Sequence, residues 1–369
     1  MESFRRLGFD KTLFLAALVL VSTGILMVFD ASGALATEKY QKPFFFLFNQ
    51  LGGAAGGFLL LLAVVSFRMP FYEKKILVYG LLGFTYALLI LCLFTPEVAH
   101  THRWLTFLGI HFQPSELAKV SLVVFLAHFV GANKDRVNEP KVFLPPAIAL
   151  LGAVLLVLLE PDFGTAVLLF LLGSLVLAIG GVRLRNFALL GLAAGPVFLV
   201  FLFLASYRLD RVLEFFAKSK DLQKASFQVA QSQLAVGAGG LLGTSFGEGT
   251  QKLFILPCPH TDFIYSVIAE ELGLVGALAV LGVFVLIIWR GLAISLKATN
   301  LAAQLTAAGL TFGLALQALV NITVVLGLSP AKGVPLPLVS FGRSSLVCSF
   351  LAVGILLHIS QRKEARGWR

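Results

Sequence analysis

Ten apolar runs, each close to the roughly 20 residues that a helix needs to cross a bilayer, divide this chain. They fall at 12–29, 44–66, 75–95, 115–131, 142–159, 163–181, 187–206, 263–289, 301–326 and 337–359. The loops between them alternate in charge. Arg5, Arg6 and Lys11 precede the first run, and Arg68, Lys74 and Lys75 follow the second. Lys134, Arg136 and Lys141 follow the fourth, Arg183 and Arg185 the sixth, and Arg290 and Lys297 the eighth. Arg362, Lys363, Arg366 and Arg369 close the chain. Every even-numbered run is followed by basic residues. Under the positive-inside rule both termini are therefore cytoplasmic, and an odd number of spans would break the alternation.

The expected fold is an all-α integral membrane protein of ten transmembrane helices. Residues 1–369 form a single polytopic domain, with one long extracytoplasmic loop, 207–262, between spans 7 and 8. The composition agrees, because 58% of the chain is hydrophobic and only 13% charged, unlike a soluble domain. The net charge of +10 lies in the inter-span clusters, so it speaks for membrane orientation and not for nucleic acid. Cys92, Cys258 and Cys348 are odd in number and scattered, with no disulfide or zinc spacing.

Polar residues gather on the outer side. In "LPCPHTDFIYSVIAEELG" (256–273), two prolines precede Thr261 and Asp262, either of which is a good N-cap for the helix that follows. Asp262, Ser266 and Glu270 then share one face, with Glu270 about 12 Å deeper. Asp262 near a helix start is pulled two ways. The dipole lowers its pKa and burial raises it, and a working base needs burial to win. A cap alone for Asp262 and a buried partner role for Glu270 is the blander reading. Intramembrane carboxylates, however, are costly and mostly functional.

In "RWLTFLGIHFQPSELAKV" (103–120), Pro114 suits a first helical turn, and Glu116 faces Lys119 at i, i+3. The pair suits architecture as well as function. Arg103 on the outer side could hold phosphate or anchor at headgroups. "EPDFGT" (160–165) puts two acids in a tight outer turn, with Asp162 at a helix start. "YRLDR" (207–211) places Arg208 and Arg211 just outside the seventh span, and "SFQVAQS" (226–232) sets Gln228 and Gln231 on one side of an amphipathic stretch. "PLPLVSFGRSS" (335–345) begins the last span with broken backbone, which at membrane depth must be buried in protein or line a cavity. There is no Walker A loop, no GxGxxG after a strand, no HExxH and no DxD pair, so neither ATP hydrolysis nor a nucleotide-activated donor is supported. An outward cavity with acids and cations on a lipid-facing scaffold suits a lipid-linked anionic substrate.

Taken in order, "QPSELAK" (113–119), "PDFGT" (161–165), "SFQVAQSQLAVGAGGLLG" (226–243), "HTDFIYSVIAEELGLVG" (260–276) and "GVPLPLVSFGRSS" (333–345) resemble the SEDS family of shape, elongation, division and sporulation proteins. Its branches are FtsW and RodA; "YRLDR", "QALVNI", "PAKG" and "GEGTQK" lean toward the FtsW-like branch, which is favoured, and "GVPLP" leans toward the RodA-like one. The resemblance implies a peptidoglycan glycosyltransferase of the bacterial cytoplasmic membrane. Such an enzyme polymerises lipid II into β-1,4 glycan strands, with inversion and loss of undecaprenyl pyrophosphate. It implies Asp262 as the catalytic base and Glu116 with Lys119 as a cavity-shaping or substrate-binding pair. Arg103 and Asp162 match further motif positions. Arg208, Arg211, Gln228, Lys252, His260, Glu270 and Ser340 complete the expected substrate-binding set. Implied partners are a class B penicillin-binding protein and other divisome or elongasome membrane proteins. No resident cofactor is implied, and a divalent cation is left open. The sequence departs from the family pattern at Cys258 and Pro259, at Phe227, and at Arg343, which replaces a glycine. Two rival functions are a lipid II flippase, against which no inverted repeat is visible, and a scaffold that only recruits a transpeptidase.

Overall fold

The computed structural model describes residues 8–67, 69–96, 102–107, 110–204, 209, 215, 227–253, 255–330 and 332–364. Helices come in the order α1 (Lys11–Tyr40), α2 (Phe45–Ser66), α3 (Lys75–Cys92), α4 (Pro114–Ala132), α5 (Pro140–Leu159), α6 (Phe163–Ile179), α7 (Leu184–Phe203), α8 (Phe227–Gly239), α9 (Ile264–Leu296), α10 (Leu301–Val325) and α11 (Arg343–Glu364). Among the described residues, nine of these are long and apolar enough to cross a membrane, and the 17-residue α6 is a shorter apolar helix. With α8 set aside, these ten described helices match the ten apolar runs.

Local chemistry sets several helix starts. The Asp10 carboxylate accepts from Leu13 N at 3.0 Å, that of Asp162 from Thr165 N at 3.1 Å, and the Asn300 side chain from Ala303 N at 2.8 Å. Pro114 opens α4, where its missing N–H is no loss. With no hydrophobic drive between helices in lipid, packing rests on small residues and shape. Gly57 of α2 lies directly against Phe350 of α11, leaving no room for a side chain, and Gly53 packs tightly against Arg343. The buried centre is α4, α10 and α11, whereas α7 is almost entirely on the outside.

Two outer features position the site. A two-stranded antiparallel hairpin, β1 (Leu105–Phe107) with β2 (Ile110–Phe112), pairs Leu105 with Phe112 and Thr106 with His111. It is tied to α11 by Gln113 N, which donates to Ser344 Oγ at 2.9 Å. The second is a break in α9 at Gly273, whose φ of 66° belongs to the left-handed region that favours glycine. The freed backbone is satisfied by the glycine-rich loop after α8. Leu274 N donates to Gly240 O, and Thr244 N to Glu270 O, each at 3.0 Å. Irregular backbone is thus buried in protein, as membrane depth requires.

Three expectations change here. Neither Thr261 nor Asp262 caps α9; its N-cap is Phe263, with no side-chain bond, because the turn at 258–263 brings the helix in one residue later. The last span begins at Arg343 and not near 337, because 334–342 runs as non-helical backbone fastened to the neighbouring loop. The first helix continues to Tyr40, so most of the supposed loop 30–43 is helical.

Candidate active site

Asp262 stands at the outer end of α9, where segments from three other parts of the chain converge. Asn321 of α10 donates to Asp262 O and to Val334 O, both at 2.8 Å, which stitches the turn carrying Asp262 to the segment before α11. A side chain added at Gly333 would come 2.9 Å from Asp262 Oδ2, so that glycine leaves the carboxylate its space. The carboxylate is half-buried and has no hydrogen-bond partner among the described residues. Its pKa is raised to about 6, chiefly by desolvation; Arg103 pulls it down and Asp162 pushes it up. An unshared carboxylate with a pKa near 6 is a base suited to neutral pH.

Positive charge is supplied from two sides. Arg103, held on the approach to the hairpin, pairs with Asp162 at 3.7 Å. Lys332 packs its stem against Gly164, close to Asp162, and burial lowers its pKa while Asp162 partly restores it. Asp162 therefore does two jobs. It caps α6 through Thr165, and it also accepts from Gln113 Nε2 at 3.4 Å, which links the hairpin to the α5–α6 turn. Beside it, Glu160 is fully buried with both carboxylate oxygens unpartnered. Burial, then the Asp162 charge, pushes its pKa up to about 8, with Arg103 opposing. That shift favours the protonated form of Glu160 at pH 7.

The structure brings together Asp262, Arg103 and Asp162, and it adds Lys332, Gly333 and Glu160. In the sequence, "PAKG" (330–333) stands out only as a mark of the FtsW-like branch. A lysine next to a glycine in an apolar chain carries no periodic signal, so only the fold reveals its position. Glu116 and Lys119 form the expected pair, 2.8 Å apart, and Lys119 Nζ also donates to Gln317 Oε1. The cavity beside them holds about 30 Å³, room for a water or two and not for a sugar. Gln317 in turn donates to Pro335 O at 2.9 Å, which ties the pair to the segment that carries Gly333.

Several expected substrate contacts turn inward. Glu270 accepts from Thr250 N at 2.8 Å and Gln251 N at 3.2 Å, and Glu271 from Gly247 N and Gly249 N. Lys252 is buried between Asp30 and Glu271. Together they latch the glycine-rich loop onto the break in α9. His260 lies buried between the rings of Phe46 and Phe341, which drives its pKa down to about 4. Ser340 bonds Thr261 O and Leu336 N and acts as a fastener. Gln228 is half-buried at the start of α8, whose docking to α10 runs instead through Ser232 and Gln233. Arg208 and Arg211 lie outside the described residues. Among those described, no group of three or more His, Cys, Asp or Glu is arranged to hold a metal ion.

The FtsW, RodA and SpoVE family profile, described as "Cell cycle protein", matches residues 10–365. The chain is 36% identical over 360 residues to a probable peptidoglycan glycosyltransferase FtsW of Geobacter sp. (strain M18), covering 96% of this chain and 97% of that one. Among solved structures it is similar to a chain in work described as "Structural coordination of polymerization and crosslinking by a peptidoglycan synthase complex". That match has a TM-score of 0.76 and 29% identity, and it covers 96% and 98% of the two chains. It is also similar to the rod shape determining protein RodA of Thermus thermophilus, with a TM-score of 0.70, 27% identity and coverage of 96% and 97%.

Proposed function

The chain belongs to the FtsW/RodA/SpoVE family, whose relatives are named as peptidoglycan glycosyltransferases, and from that premise we propose that it polymerises lipid II with Asp262 as general base. The setting is the outer face of the bacterial cytoplasmic membrane. The observation that carries the reading is the half-buried Asp262 carboxylate, without a hydrogen-bond partner among the described residues and with its pKa raised to about 6, in the field of Arg103 and Asp162, with Lys332 beside Asp162.

The steps follow from this arrangement. The sugar 4-hydroxyl of the acceptor lies against Asp262, which takes its proton as the oxygen attacks the anomeric carbon of the donor. The bond from that carbon to the diphosphate breaks with inversion, and undecaprenyl pyrophosphate leaves with the electron pair. Arg103 and Lys332 offset the negative charge that develops on the diphosphate, an electrostatic task for preorganised cations. Asp162 holds Arg103 at 3.7 Å and offsets part of its charge. The Glu116–Lys119–Gln317 chain keeps the segment of Lys332 and Gly333 in register. The division-type branch fits the named relatives, and the partner is a class B penicillin-binding protein that cross-links the strands.

The test is polymerisation of purified lipid II by the protein together with that transpeptidase. Wild type should yield glycan strands and Asp262→Ala none. Equal polymer from both would remove Asp262 from the chemistry.

A further inference from the structure

A second charged recess opens at the other end of the molecule. It lies between the start of α1, the cytoplasmic end of α9 and the end of α11, with a volume of about 370 Å³. Its floor is fixed. Arg290 holds Asp10 through Nε and Nη2, and Asp10 N donates to Ser360 Oγ at 3.0 Å. That ion pair cancels its own charge. Lys11 and Lys297 remain on the rim, both exposed and, among the described residues, without an ion-pair partner. The rest of the lining is mixed, with Phe9, Ile294 and Ile359 apolar and Thr12 and Ser360 adding hydroxyls. Volumes from about 300 Å³ upward are typical of small-molecule pockets.

We propose that this recess binds the phosphate of an anionic phospholipid headgroup from the cytoplasmic leaflet. Two uncommitted lysines over a neutralised floor match a single phosphodiester, and the apolar side chains suit the glycerol and upper acyl carbons. The depth agrees as well. Trp289, next to Arg290, is 62% exposed and Leu296 is 79% exposed, so the helix surface beside the recess faces lipid at the headgroup level where tryptophan concentrates. Basic pockets between helices on the cytoplasmic side are suited to such headgroups. A free phosphate shares the chemistry but would make no use of the apolar side chains.

The experiment counts phosphatidylglycerol retained by the detergent-purified full chain in native mass spectrometry, with phosphatidylcholine and inorganic phosphate as probes alongside. Wild type should keep one phosphatidylglycerol and discriminate against phosphatidylcholine. At about one surface-lysine contribution each, removing both charges in Lys11→Gln with Lys297→Gln should weaken binding by about 30-fold. The pair Lys134→Gln with Lys141→Gln removes equal charge from another cytoplasmic loop and should leave binding within a few-fold. Lys297→Glu, a reversal at an exposed position, should reproduce the loss without disturbing the fold. Unchanged binding in the Lys11 and Lys297 variants, equal weakening in the control pair, or equal retention of phosphatidylcholine would overturn the proposal. Full displacement by inorganic phosphate would assign the recess to a free anion and overturn the lipid source.

Discussion

Lys119→Met should damage the fold more than the double variant that combines it with Glu116→Gln. Glu116 and Lys119 are only 4% and 8% exposed, and Nζ lies 2.8 Å from Glu116 Oε1 while also donating to Gln317 Oε1. Removing the ammonium alone strands a buried carboxylate and leaves the Gln317 carbonyl without its donor. Losing one partner of such a pair costs about 3–5 kcal/mol. In the double variant no charge remains buried, so about 2–4 kcal/mol of that loss should return. Thermal unfolding of both variants and wild type in one detergent gives the order: wild type highest, double variant next, Lys119→Met lowest. Equal midpoints for Lys119→Met and the double variant would refute the argument, because they would show that no charge had been stranded.

Two further outcomes concern protons at the outer site. Polymerisation should fall tenfold per pH unit below about 6 and level off above it, since Asp262 must be ionised to act and its pKa is raised to about 6; a flat initial-rate profile from pH 5 to 7 would contradict this. The same shift sets a stability sign. The folded state holds that proton more tightly than the unfolded one, so the contribution is full below about 3.8 and is lost as pH rises through about 6. Glu160, raised from 4.5 to about 8, follows the same rule, so wild type should lose ground to Glu160→Gln across that interval and by about 3–5 kcal/mol at its end. Parallel melting curves for these two proteins from pH 5 to 9 would show that Glu160 is not held neutral.

The spans were legible because lipid imposes length and apolarity on every helix that crosses it, and the basic loops then set direction. The i, i+3 spacing of Glu116 and Lys119 likewise forced the pair that forms. The outer edge was harder to read. Thr261 and Asp262 have good capping chemistry, yet the turn at 258–263 delays the helix by one residue and leaves Asp262 free. Glu270 looked like an intramembrane acid aimed at a substrate, whereas the left-handed Gly273 breaks α9, and Glu270, like Glu271, turns toward backbone N–H groups of a loop about 20 residues earlier. Lys332 and Gly333 reach the site through a contact relayed by Asn321 and Gln317, which no local pattern encodes.

The central claim is that Asp262 acts as a base, and Asp262→Asn isolates that role. The amide is nearly the same size, and no cap is lost, because the N-cap of α9 is Phe263 and uses no side-chain bond. What disappears is the capacity to accept a proton, and general-base assistance is worth about 100- to 10,000-fold. The measurement is glycan polymerisation from purified lipid II by Asp262→Asn, with its melting temperature and transpeptidase binding taken on the same preparation. The account predicts a folded, partner-competent variant whose rate has fallen by at least about 100-fold. A folded variant polymerising near the wild-type rate would contradict it.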